Sequence, residues 1–364
     1  IEYIDVSIGG QLIDRHYSEW LAICHDLFEE SSKSLSLANM IGVKNNSTNN
    51  QKKVLSLPLR FWFNRNIGLA LPLIALQYNE IKIEIKFKRK EEINRYTQGK
   101  HSGGNDIGLD GDISVENVGI TAEYIHLDQE ERRLFSSNKH EYLITQVQHN
   151  MNNPIPNYIN LYKNSDFESL RHKIDIRFSY PIKEIYWTIQ DIKGGWSSGN
   201  LVDYYDNKGV YQYNYWNNYD WGREQMGECA ILVNGKELTE NLDSNFYRYI
   251  QEYQYHKGNG IPHIDVSNTN ANGYPSSNSI ELDKGLGVYS YSFALYPEDF
   301  QPSGSINFSK IDNCQLRLTL KSNPELALGS STHGQLTNKI INIFGLGYNV
   351  LTIKSGIAGL SFIN

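Results

Sequence analysis

Apolar and polar residues alternate without a break from Glu80 to Lys88. Ile81, Ile83, Ile85 and Phe87 fall on one side, and Glu80, Lys82, Glu84, Lys86 and Lys88 on the other. A period of two predicts a strand with one buried and one wet face. Leu55, Leu57, Leu59, Phe61 and Phe63 alternate as well and predict a second strand. Pro58, which lacks an N–H, belongs at its start or on a sheet edge. Between the two, Asn64–Gly68 reads as a turn and Leu69–Gln77 as a short helical or irregular crossing. The longest uninterrupted apolar piece here, Ile67–Leu76, has ten residues, about half of what a bilayer requires. The run is core, not a membrane span.

The same order of parts returns near the other end of the chain. Tyr289, Tyr291, Phe293 and Leu295 alternate with small residues, a turn follows at Pro302–Gly304, and Gln315–Lys321 alternates again. Glycines and aromatics repeat with it: Gly9 to Gly235 and Trp20 to Phe246 each span 226 positions, as do Gly119 to Gly345. Matched ends at one offset indicate a tandem duplication with loop insertions. Gly9-Gly10 and Asn234-Gly235 separate short apolar pieces and predict tight hairpin turns with φ > 0.

Residues 172–190 hold two predicted strands ahead of the second copy's Leu232, and their first-copy counterparts would precede Ile1. The first unit is therefore expected to lack its first one or two strands. Many short strands, long connections and brief helical pieces predict an all-β chain of two tandem jelly-roll β-sandwiches, a double jelly roll with short helices in the connections. The expected units are residues 1–145, the N-terminally incomplete first jelly roll, and residues 146–364, the second.

Composition fits this picture. The 364 residues include 25 Tyr and 29 Gly but only three Met, which favours strands over helices. A net charge of −7 argues against a nucleic-acid wrapper. Cys24, Cys229 and Cys314 lie far apart, form no metal or disulfide spacing, and fit a reducing compartment.

Five longer blocks carry a resemblance: RHYSEWL (15–21), LPLRFWFNRNIGLALPLIALQYNEIKI (57–83), ERRLF with HEYLI (131–135, 140–144), SFALYPEDFQPSGSINFSKID (292–312) and YNVLTIKSGIAGLSF (348–362). Together they resemble the major capsid proteins of the nucleocytoplasmic large DNA viruses, along the whole chain and in both repeats. The resemblance implies a structural virion protein, a double jelly roll that trimerises into a pseudo-hexameric capsomer and tiles an icosahedral shell. It implies partnership with itself, with neighbouring capsomers, with minor capsid or cement proteins and with inner viral membrane proteins. It also implies a place in the virion shell after assembly in the host cytoplasm. No cofactor, no metal, no specific nucleic acid and no catalytic residue are expected, so the chain is read as a non-enzyme.

Candidate chemistry changes that reading little. Residues 196–221 interleave aromatics with Gly and Asn, and Trp196, Tyr215, Trp216 and Trp221 are candidates for stacking a sugar or base. An insertion packed on its own rings explains them as well. The rival function resting on this loop is a carbohydrate-binding β-sandwich fibre or spike for host attachment. Asn45 and Asn46 begin overlapping Asn-x-Ser/Thr acceptors for glycosylation in a polar loop, and Asn307-Phe-Ser309 is a third match inside a turn block. The basic run that ends at Lys90 is interrupted by Glu80 and Glu84 and reads as a solvated strand face. His256 and His263 form a loop pair without Cys or Asp support, a poor zinc candidate. Scattered carboxylates leave a facing acid pair of the glycosidase kind open.

Overall fold

The computed structural model describes residues 1–42, 54–88, 115–155, 171–193, 210–211, 226–258, 287–320 and 338–362. Among these, strands β1 (Tyr3–Ile8) and β2 (Gln11–Tyr17) lead into helix α1 (Ser18–Leu27) and helix α2 (Ser31–Ile41). A single helical turn α3 (Trp62–Arg65), strand β3 (Ile81–Lys86), helix α4 (Gln129–Ser137) and the long strand β4 (His140–Ile155) follow. The second half contributes β5 (Arg171–Asp175), β6 (Pro181–Lys193), β7 (Val210–Tyr211), β8 (Met226–Val233), β9 (Lys236–Glu237) and β10 (Leu242–Asp243). After helix α5 (Gln251–Tyr255) come β11 (Val288–Ser292), β12 (Ile306–Asn307), β13 (Cys314–Leu320), β14 (Asn338–Lys354) and β15 (Ile357–Leu360).

Each half contains the same kind of hairpin. Gly9 and Gly10 turn with φ of 60° and 81°, and Asn234 and Gly235 with 50° and 76°. Two consecutive left-handed residues form the type I′ turn whose twist suits antiparallel strands. Matched by turn position, Gly235 corresponds to Gly10, one residue away from the pairing with Gly9 that the sequence suggested. β3 then pairs with β1 in the first sheet, order β2-β1-β3, while β13 pairs with β8 in the order β10-β8-β13-β5.

The third sheet joins the halves. β14 pairs along nearly its whole length with β4, from Lys339 opposite Ile155 to Ile353 opposite His140. Its first part also pairs with β6, and its last residues with β15. β14 therefore touches three cores in turn. Ile341 and Ile343 face the second unit's core, packed on Ile185, Trp187, Ile231 and Leu316. Phe344 and Leu346 join Trp20, Ile23, Cys24 and Tyr186. Leu351 and Ile353 close the first unit's core against Ile4, Val6, Ile13 and Phe61. A strand buried on both faces reads as a near-continuous apolar run, as Ile340–Leu346 does with the buried Asn342 as its one polar residue.

Two expectations from the sequence need correction. Leu55–Phe63 is not a strand: residues 54–60 carry no ladder, and Phe61 starts the helical turn α3. Pro58 removes a donor in mid-run, and the alternation is satisfied by packing instead, with Leu57, Leu59 and Phe63 half-buried around the buried Phe61 and Trp62. Residues 117–127 match 343–353 in sequence, yet 115–128 form no strand and leave Val118, Ile120, Tyr124 and Ile125 exposed. The matched pattern marks a strand-compatible segment, but a ladder also needs a paired neighbour, and none of the described strands pairs with it.

Candidate functional site

A chain of this architecture acts through how its two units are fastened, so the junction between them is the place to build a site. α1 follows β2 directly and lays Trp20, Ile23, Cys24 and Leu27 onto the outer face of β6 and β14. Alternation along β6 makes this work. Ile185, Trp187 and Ile189 point into the second core, which leaves Glu184 and Tyr186 on the junction side. Tyr186 meets Trp20 edge-on at 5.3 Å, and Phe28 at 6.0 Å.

Charged groups are sunk into this apolar seam. The side chain of His256, just after α5, is fully buried between two carboxylates: Nε2 lies 2.7 Å from Glu184 Oε1 and Nδ1 3.3 Å from Glu298 Oε1. The close approach to Glu184 lies off the ring's N–H axis, so it is an ion pair rather than a hydrogen bond. Glu184 accepts a 2.5 Å bond from the Tyr186 hydroxyl, and Glu298 accepts the Lys257 N–H at 3.0 Å. Burial alone would strip His256 of its proton, but attraction to Glu184, joined by Glu298, outweighs it and raises the imidazole to about 9. Burial, with the attraction of Glu184 added, pushes the Tyr186 phenol well above its ordinary value. Next along β6, Lys183 donates to the Pro297 carbonyl at 2.5 Å. Burial, reinforced by Arg65, lowers its ammonium to about 7.

A second polar network ties the first unit to β14. Asn349, fully buried, donates to Gln146 Oε1 at 2.7 Å and to the Phe362 carbonyl at 2.8 Å. Gln146 in turn donates to the Ile13 carbonyl. Asp14, also buried, accepts from the Val147 N–H at 3.0 Å and contacts His16 Nε2 at 3.0 Å. Strands β2, β4 and β14 are thus cross-linked through buried hydrogen bonds, which fixes register where apolar packing alone would tolerate slippage.

Reaction chemistry finds little footing here. The Cys24 and Cys314 thiols are raised by burial to about 12 and Cys229 higher still, so none is an activated nucleophile. The hollow between Trp62, Arg65, Leu143, Thr145, Lys183 and Tyr348 measures about 30 Å³, room for one water and no substrate. Among the described residues, no trio of His, Cys, Asp or Glu is grouped to hold a metal, and no helix is long and apolar enough to cross a membrane.

Most sequence-nominated residues fall elsewhere. Asn45, Asn46, Trp196, Tyr215, Trp216, Trp221 and His263 lie outside the described residues. Asn307 is half-buried, and its side-chain oxygen accepts the Ser309 N–H at 3.0 Å, an Asx turn. The basic face of β3 is ion-paired: Lys82 with Glu84 and Lys86 with Glu2, each at 3.0 Å. His256, weighed as a zinc ligand, instead spends both ring nitrogens on carboxylates. Glu184, Lys183, Gln146 and Asn349 were not singled out beforehand. Their only signal was a polar residue at an inward position of a strongly apolar strand.

Comparison with known proteins agrees with the geometry. Residues 1–128 match the model of the major capsid protein N-terminus, and residues 131–269 and 283–359 that of the large eukaryotic DNA virus major capsid protein. The chain is 32% identical to the major capsid protein of Pyramimonas orientalis virus, over its full length and 76% of the relative. Among solved structures, the quasi-atomic model of the PBCV-1 virus capsid superimposes with a TM-score of 0.63 at 26% identity, covering the whole chain and 83% of that protein. The Faustovirus major capsid protein shares the fold at 14% identity, TM-score 0.54, over 97% of this chain and 71% of its own. Shared strands, twin hairpins and these likenesses lead to one conclusion: the chain is a double jelly roll that belongs to the family of large eukaryotic DNA virus major capsid proteins.

Proposed function

We propose that three copies of this chain close into a capsomer with six near-equivalent sides and that such capsomers tile an icosahedral shell. The observation that carries the reading is the double jelly roll itself, with β4 and β14 running through both sandwiches. A rigid two-unit tile repeated three times gives six similar flanks. A heterologous interface that closes at three subunits leaves no open end for fibre growth. Interfaces of this obligate kind bury on the order of 2,000–5,000 Å². Exposed apolar side chains such as Val118, Ile120 and Tyr124, and the edge of β3 that no described strand pairs, are surfaces that such contacts would cover.

In this reading the two units are residues 1–145 and 146–364, with the end of β14 and β15 lent by the second to the first. The work is mechanical, and no residue is assigned to catalysis. Contacts with minor capsid or cement proteins and with inner viral membrane proteins belong to the same proposal. So does assembly in the host cytoplasm, which the three buried, unpaired cysteines support. Light scattering on the purified protein tests it: three chain masses are expected. A monomer that binds oligosaccharides would overturn the shell reading in favour of an attachment protein.

A further inference from the structure

We propose that His256, held as a cation between Glu184 and Glu298, is a charge-dependent clasp that fastens α1 of the first unit to the second unit, and that loss of its proton releases this seam. The geometry places the clasp at a backbone contact between the halves. Two residues on, the Gly258 N–H donates to the Leu27 carbonyl at the end of α1 at 2.9 Å, and Gly258 bridges Glu30. A methyl added at Gly258 would sit 2.3 Å from the Leu27 carbonyl oxygen and 2.6 Å from that of Asp26. Phe28, at the same helix end, meets the His256 ring edge-on at 5.4 Å. The segment 256–258 is therefore seated between α1 and the second unit with no slack, and the His256 side chain is its deepest anchor.

The groups facing His256 leave its charge state in control. From β6 come Glu184 and the Tyr186 hydroxyl, the latter already donated to Glu184. From the 294–300 segment comes Glu298, whose side chain is 12% exposed. α5 adds only the Glu252 carbonyl, which accepts the His256 N–H, and α1 adds the Phe28 ring. Lys183, held by the Pro297 carbonyl, is drawn electrostatically to the same carboxylates, Glu184 and Glu298. With His256 protonated, the seam holds a cation flanked by acceptors. With His256 neutral, Glu184 and Glu298 face each other across an uncharged ring and lose the cation between them, a costly change for largely buried carboxylates.

The sign follows from the raised imidazole, at about 9 against an ordinary 6.5. The folded form binds the proton more tightly, so the clasp is complete below pH 6.5 and is lost as pH rises toward and through 9. Lys183 titrates in the opposite sense, so the test compares variants rather than reading one curve.

Hydrogen exchange by mass spectrometry, on the assembled protein from pH 6 to 10 with intrinsic exchange rates divided out, reads the Gly258 seam directly. Wild type is expected to lose protection in the 251–258 peptide by roughly tenfold or more across pH 8 to 10. Glu298→Gln removes one partner from a partly exposed position and is expected to move that loss to lower pH. His256→Gln is expected to show weak protection that no longer falls as pH rises. Protection in wild type that is flat with pH, or an unchanged midpoint in Glu298→Gln, would overturn the clasp. If His256→Gln does not fold, the Glu298→Gln midpoint alone decides.

Discussion

Strands β3 and β13 are written in nearly the same language and end in different environments. Ile-Lys-Ile-Glu-Ile-Lys and Cys-Gln-Leu-Arg-Leu-Thr-Leu both alternate, and both follow the same kind of hairpin into the same kind of sheet. Yet Leu316 and Leu318 are sealed from solvent, while Ile81, Ile83 and Ile85 stay half-buried. The difference is one neighbour. β13 lies between β8 and β5, whereas β3 has β1 on one side and no described strand on the other. Alternation thus sets which face turns inward. How deeply that face is buried depends on strands far away in sequence.

The polar faces tell the same story. On β13, Arg317 pairs with Glu237 and Asn241, and Gln315 reaches Asp175 on β5. On β3 the lysines pair locally or with the chain's second residue, Glu2, and stay in water. Such exposed pairs are screened by water and add little to stability.

The largest expected effect separates the two strands outright. Leu316→Ala empties a sealed core position and is expected to cost about 2–5 kcal/mol, against roughly 1 kcal/mol for Ile83→Ala on the half-buried face. Chemical denaturation of both variants checks the gap, and equal losses would mean that β3 is covered in solution by a strand or a subunit. Next, Gly258→Ala is expected to lose about 1–3 kcal/mol, because the added methyl meets backbone rather than a movable side chain. A wild-type melting curve would show that the seam is looser than the geometry requires. Smaller again, Gly235→Val and Gly10→Val each place a β-branched residue at positive φ with open space around it. Each should cost about 1–2 kcal/mol and lower soluble trimer yield. Similar penalties at the two turns would confirm that the hairpins are equivalent, and a cost at one turn alone would deny it.

The last expected effect is a pH dependence. The folded chain holds the Lys183 proton less tightly than the unfolded chain, near 7 against an ordinary 10.5. Carrying that charge therefore costs stability increasingly as pH falls from about 10 to 7. Lys183→Met has no such cost, so its melting midpoint should gain on wild type across that window. Parallel curves would show that the amine is solvated.

Much of this fold was legible in the chain. The strands at 81–86 and 315–320, both tight turns and the strands within 172–190 all stand where the pattern put them. What stayed hidden was partnership. Leu55–Phe63 has the right period, but with Pro58 inside it the backbone finds no ladder, so side-chain packing absorbs the pattern. Leu351 and Ile353 look like any apolar strand, and nothing local announces that they complete a core built from residues near the N-terminus. At the junction, Glu184 and His256 are 72 positions apart and became a pair only once β6 and the end of α5 were set side by side. A loop histidine and a lone inward glutamate carry no such message in sequence.

The central claim is that two like sandwiches per chain give a three-chain particle six similar sides. Electron-microscopy class averages of the purified protein test this most directly. The account predicts a flat particle with three-fold symmetry, a near-hexagonal outline and two comparable lobes per chain. A monomer, or a three-sided particle with a single lobe per chain, would contradict it.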